Sequence, residues 1–304
     1  MTIPPWSGYD PGSMQPKIIQ PVTALILGAV LISFSSVFVR AAQVPSSVSA
    51  FYRVAFGSVF LILACVIKKE FKPRSLKNNL LAVLCGLVFA MDLLAWHLSI
   101  HYIGPGVATI LANCQVFVLT LAGFFLFKEK IRWIFVISLP MAFFGLFLIV
   151  GVDMDRLTPN QIMGVWFGLA TAFFYSIFLL LLRRIQSDKD DFSLFYYLMV
   201  VSVVTSLFLG GKIHLSGESF AIPNLPSLTW LVCLGLFNQT IAWVMISNAL
   251  PRVNASYAGL ILLLQPTLSF VWDVIFFARP TGVAGWIGAA IVVLAIYFGV
   301  TGKK

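Results

Sequence analysis

AFYRVAFGSVFLILACVI, residues 50–67, is apolar over almost the length of a membrane crossing, yet it holds a permanent cation, Arg53. A transmembrane helix needs about 20 apolar residues. The rest of the chain decides whether this run is one such helix. Of 304 residues, 60% are hydrophobic and only 10% are charged. Mean hydropathy is +0.97. Soluble domains carry about a quarter charged residues, so the solvent for most of this chain is a lipid bilayer.

Working outward from residues 50–67, ten apolar runs appear: 22–39, 48–67, 79–100, 104–127, 133–150, 161–182, 192–210, 228–249, 255–277 and 283–300. Each has the length of a tilted transmembrane helix. None alternates with a period of two, which argues against a β-barrel. The connections are short except for 211–227, and no soluble domain is inserted. The polar, Pro- and Gly-rich residues 1–20 lack the pattern of a cleaved signal peptide and read as a flexible cytoplasmic tail.

The net charge of +9 would suggest nucleic acid in a soluble chain. Here the cations cluster between apolar runs, as topology signals do, and no nucleic-acid partner is expected. Placing the N-terminus in the cytoplasm puts fifteen Lys and Arg residues inside. Four lie outside: Arg40, Arg156, Lys212 and Arg279. The positive-inside rule then predicts an inner-membrane protein with both termini cytoplasmic. Cys65, Cys85, Cys114 and Cys233 all lie within apolar runs, in no disulfide or zinc spacing. No metal site and no cofactor is expected.

Two stretches repeat. GAVLISFSSVF at 28–38 parallels GLATAFFYSIF at 168–178. NCQVFVLTLAGFFLFKEKIRW at 113–133 parallels LLQPTLSFVWDVIFFARPTGV at 263–283, aligning Gln115 with Gln265. Five helices per half is an odd number, so the second half enters the membrane from the other side. The expected fold is an all-α membrane protein of ten transmembrane helices in two inverted five-helix repeats, 21–150 and 161–302. Many secondary transporters share that architecture.

Three stretches carry a family resemblance: SAFYRVAFGSVFLIL in the second helix, FFLFKEKIRW at the fourth-to-fifth junction, and NALPRVNASYAGLILLLQPTLSFV leading into the ninth. With the five-plus-five count, the chain resembles the EamA-like exporters of the drug/metabolite transporter superfamily. The resemblance runs from about 20 to 302. It implies alternating access around a central cavity lined by the first four helices of each half. It also implies a substrate among amino acids, other metabolites, drugs or quaternary ammonium compounds. One departure stands out: the second-repeat counterpart of KEK at 128–130 is ARP at 278–280, without an acid.

Polar groups inside a membrane face a cavity or a partner. Arg53 lies about 8 Å deep and Asp92 about 12 Å deep from the outer side, at a rise of ~1.5 Å per residue. As opposite charges they are candidates for an ion pair, a gate or substrate contact. Arg53 near a helix end could equally snorkel to the headgroups. Trp96 shares the helical face of Asp92 and suits a cation or an aromatic substrate, or an interfacial belt. His97 and His101 read as rim residues. Gln115 and Gln265, with Asn113 and Asn238 close to the same level, offer hydrogen bonds to a polar solute, or to neighbouring helices. Trp166, Tyr175 and Trp243 are candidate aromatic walls. Glu129, among Lys128, Lys130 and Arg132, suits a structural staple.

Walker A, G-x-S-x-G, H-E-x-x-H and dinucleotide-turn signatures are absent from the sequence, and no catalytic residue is assigned. The expectation is a non-enzymatic secondary transporter that exports a small polar or amphipathic metabolite, an amino acid or similar, with protons as the candidate coupling partner. A quaternary-ammonium or drug efflux carrier of the same fold is the alternative. A membrane-embedded enzyme or a channel is the alternative from another class.

Overall fold

The computed structural model describes residues 20–150 and 159–301. The expected flexible tail falls outside the described residues except for its last member, Gln20. So does Arg156.

Among the described residues every regular element is helical. The apolar stretches fold into α1 (Pro21–Ala42), α2 (Ser46–Ile67), α3 (76–103), α4 (105–125), α5 (Trp133–Val150), α6 (Pro159–Gln186), α7 (Tyr196–Leu215), α8 (Leu225–Arg252), α9 (Ala255–Phe277) and α10 (Val283–Thr301). The third and fourth runs differ from expectation. They form one stretch, Leu76–Phe125, divided at a single residue. Gly104 takes φ 77° and ψ 162°, outside any helix, and Pro105 follows with no N–H to give. A side chain on Gly104 would meet nothing within 4 Å. Its backbone conformation, then, is what calls for glycine. The long connection also shortens, because α7 runs on to Leu215 and α8 starts at Leu225.

Several helices are broken near mid-membrane. α1 pauses at Phe34, α4 at Asn113–Cys114 and α9 at Leu263. The breaks in α4 and α9 stand 150 positions apart, just ahead of Gln115 and Gln265. α8 widens into a π-helix over Leu234–Ala242, where the Thr240 hydroxyl donates to the Gly235 carbonyl five residues back at 3.0 Å. Such wide turns concentrate at functional sites.

Packing joins the halves to each other. α3 and α4 lie along α6, and their counterparts α8 and α9 lie along α1. α2 meets α7, α4 meets α9 and α5 meets α10. α2 against α8 mirrors α7 against α3. Each pairing maps onto itself or onto another when the repeats are exchanged, so a pseudo-two-fold relates them. Where α5 crosses α10, a Cβ on Gly145 would collide with the Gly288 carbonyl and one on Gly288 with the Gly145 carbonyl. Small residues at such crossings let backbones touch in a membrane. Gly164 and Gly168 likewise press on α3 and α4.

Large apolar side chains such as Phe124, Phe144, Phe173 and Leu207 cover the outside. Trp166 belongs with them at 66% exposure. It is no wall of a cavity, which corrects the sequence expectation. An aromatic residue seven positions past the start of an apolar helix carries no mark of the face it will take.

Candidate functional site

The ends of α2, α4, α6 and α8 carry Lys68, Lys69, Lys128, Lys130, Arg132, Arg183, Arg184 and Arg252, and define a basic face. A cavity of about 550 Å³ opens from mid-membrane toward the opposite face. Its mouth is lined by Ser36 and Val39 of α1, Ser46 of α2, Ile100 of α3, Gly106 of α4 and Val150 of α5, all near the ends of their helices on that side.

Arg53, Asp92, Trp96, Asn113, Gln115, Tyr175, Trp243 and Gln265 all line this cavity. The two ions face the same space, but no N–O contact within 4.0 Å joins them. Arg53 is held instead by α8: its Nε donates to Gln239 Oε1 at 3.1 Å, and Gln239 Nε2 donates to Ser202 Oγ on α7 at 3.0 Å. The guanidinium faces the cavity wall and does not reach along lipid. Asp92 and Tyr175 line the same cavity. Asp92 itself is buried within α3, one helical turn before Trp96.

Gln239 was not singled out from the sequence. The signal for it is the run Asn238–Gln239–Thr240 inside an apolar helix. On a regular helix these three would point in different directions, whereas the π-turn carries all three to buried positions. Gln239 also lies against Gly57, where a side chain would leave it no room.

The floor of the cavity is aromatic and amide. The Trp243 ring meets Phe178 edge-on at 4.9 Å and Tyr175 at 6.3 Å. Tyr175 and Gln265 line the same floor. Gln115 Oε1, Gln265 Nε2 and Trp243 Nε1 are buried without a hydrogen-bond partner among the described residues. Asn113 turns partly inward, its Nδ2 donating to the Thr109 carbonyl at 2.7 Å.

Asn238 lies elsewhere. It is 0% exposed and absent from the cavity wall. Its Nδ2 donates to the carbonyls of Leu31 and Ile32, at 2.9 and 3.0 Å. These carbonyls sit just before the break in α1, so Asn238 satisfies acceptors on a neighbouring helix. Its placement as a substrate-binding residue is corrected to that of a helix tie. His97 and Arg279 do line the cavity. Arg279 stands 3.9 Å from Asp273, which also lies 4.0 Å from Arg40.

The basic face is closed by carboxylates that bind helix starts. Glu70 accepts from the Ser193 hydroxyl and from the N–H groups of Phe195 and Tyr196, both at 3.1 Å, at the start of α7. Beside it Asp191 accepts from the Tyr197 hydroxyl, the Ser75 N–H at 2.9 Å, Asn78 and Arg74. Burial opposes the Asp191 charge, but these hydrogen bonds outweigh it and hold the carboxyl below its ordinary range. Glu129 accepts from Ala255 N–H at 2.6 Å, Ser256 N–H at 3.2 Å and the Ser256 hydroxyl at 2.7 Å, at the start of α9. Arg183 donates to the Val253 carbonyl at 2.7 Å. Across the molecule, Glu218 takes a proton donor from Lys212 at 2.5 Å and another from the Ser47 hydroxyl at the start of α2. Those two bonds, Lys212 foremost, hold Glu218 below its ordinary range.

This fold has solved counterparts. One crystal structure superposes with a TM-score of 0.79 over 93% of this chain and 99% of that one, at 17% sequence identity. Among curated proteins, the uncharacterized inner membrane transporter YhbE of Escherichia coli K12 is 26% identical, over 93% of this chain and 90% of its own length. The uncharacterized transporter YxxF of Bacillus subtilis is 22% identical, over 88% and 85%. The sequence pattern of one family, described as the EamA-like transporter family, matches twice, over residues 20–151 and 162–301. Two matches that take in nearly all ten helices, on a fold whose halves exchange by a pseudo-two-fold around one cavity, make this multi-pass membrane protein a member of the EamA-like transporter family.

Proposed function

We propose that the protein is a secondary carrier that exports a zwitterionic metabolite, an amino acid with a large apolar side chain, by alternating access. One observation carries the reading. Arg53 and the Asp92 carboxyl line one cavity, and no N–O contact within 4.0 Å joins them. Buried ions of opposite sign left unpaired are costly, and a ligand bearing both an ammonium and a carboxylate removes that cost. Trp96, Tyr175 and Trp243 supply the apolar walls. The cavity volume falls within the roughly 300–1,000 Å³ common for small-molecule sites. The seal at the basic face suits a carrier better than a channel. The excess of cations on that face supports a cytoplasmic position for it and for both termini. The printed name of the Escherichia coli relative supports the inner membrane. Asp92 is the group to which proton coupling would be assigned.

A quaternary-ammonium carrier is the second reading, favoured by Asp92 beside Trp96. Arg53 separates the two. The test is thermal stabilisation of the purified protein, followed by counterflow in proteoliposomes, with phenylalanine, tryptophan and tetraethylammonium as probes. A zwitterion at about 100 times its Kd should stabilise by roughly 2.7 kcal/mol. Both Arg53→Ala and Asp92→Asn should abolish that effect. Tetraethylammonium binding that tightens in Arg53→Ala would give the site to cations instead.

A further inference from the structure

The turn after α4 and the turn after α9 share one backbone. Lys128 and Ala278 both adopt a left-handed conformation, at φ 52° and 48°. The Glu129 N–H donates to the Gly123 carbonyl at 2.9 Å, and the Arg279 N–H to the Asp273 carbonyl at 3.3 Å. Each position stands 150 from its counterpart. The side chains differ at every place that matters. Gly123 leaves the room that the Glu129 carboxylate fills, since a Cβ there would collide with it. Asp273 occupies the matching place and ties Arg279 back to its own helix.

The receiving ends differ in the same sense. Glu129 takes three donors from Ala255 and Ser256. Their counterparts at the start of α4 are Pro105 and Gly106. Proline has no N–H and glycine no hydroxyl, so one donor of the three survives. The acid, its space and two of its three donors are missing from the counterpart, although the turn itself is kept.

We infer that Glu129 is the gate residue of the transport cycle: its contact with the start of α9 locks the basic face shut, and among the described residues no equivalent lock stands at the cavity mouth. The carrier therefore rests with its cavity open to the face opposite the lock. Release of the Glu129 carboxylate from Ala255 and Ser256 frees α9 to move and opens the basic side. Arg183, bound to Val253 and stacked on Phe127 at 4.5 Å, holds the same connection from α6. The inference rests on the protein being a transporter but not on which substrate it carries.

Hydrogen–deuterium exchange on the full chain in lipid nanodiscs, without substrate, tests it. Glu129→Gln should speed exchange in peptides covering 253–262 by about tenfold or more, as expected when charge-assisted hydrogen bonds are lost. Exchange at 106–112, the start of α4, should slow in the same sample, because opening one face closes the other. Ser256→Ala removes a single bond and should move both readings the same way by a smaller factor. Faster exchange at 253–262 with no change at 106–112 in either variant would make Glu129 a local staple and overturn the inference. Failure of every amino acid to bind would sink the substrate assignment and leave these exchange patterns as they are.

Discussion

Two kinds of helix-start cap differ in how they survive between the halves. Glu70 caps α7 from the loop after α2, and Glu218 reaches the start of α2 from the loop after α7, so this staple exists in both copies. The cap from the turn after α4 onto α9 exists once. The pair α2 and α7 is thus fastened at both faces, as a wall would be. Among the described residues the pair α4 and α9 is capped in this way at one face, as a moving part would be. A carrier needs both, since the membrane must stay sealed while its two ends alternate.

The largest effect should come from breaking a wall staple. Glu70→Ala removes the acceptor for Ser193, Phe195 and Tyr196 and should cost about 2–3 kcal/mol, the usual scale for a charged group with several hydrogen bonds. Thermal melting in detergent reads this directly. Glu218→Ala should cost less, about 1 kcal/mol, because its pair with Lys212 is roughly a third exposed and screened by solvent. Equal losses would remove the distinction between a buried and a wet staple.

Acid sharpens the comparison next. Asp191 is held below its ordinary value of 3.8 by its hydrogen bonds. A carboxyl with a depressed value lends stability above the unfolded value and withdraws it as pH falls through the folded one. The melting temperature should therefore drop below about pH 4, and Asp191→Asn should flatten that drop. A slope unchanged in the variant would assign the acid sensitivity elsewhere. The smallest effect should be at the lipid surface. Trp166→Leu should shift stability by no more than about 0.5 kcal/mol and leave ligand-induced stabilisation intact. Loss of ligand response in that variant would return Trp166 to the cavity.

Most of the fold was legible because the bilayer imposes a length and an apolar character on each helix, and the cation clusters mark one face. The Gly104–Pro105 step was visible as a breaker, but its sharpness was not, since one residue replaces a loop. The candidate site was legible wherever a polar residue had no other reason to be in lipid, as with Arg53, Asp92, Gln115 and Gln265. It failed at Asn238 and Gln239. Their directions depend on a π-turn set by tertiary packing, and a 3.6-residue period cannot show it. It failed at Trp166 too, because aromatic side chains suit lipid and cavity alike. The missing acid at Arg279 was readable from the repeat. Its meaning required the contacts made by Glu129.

The hold of Gln239 on Arg53 also bears on how the protein is made. The two residues are 186 positions apart. α2 therefore leaves the ribosome and meets the membrane long before α8 exists. A cation costs about 2.5–3.5 kcal/mol at the centre of an inserting helix and less toward an end, where Arg53 stands. During synthesis the first half supplies the Asp92 carboxyl on α3 but no hydrogen bond from Gln239, so the seating of the α2 cation is completed only when the chain's second half arrives.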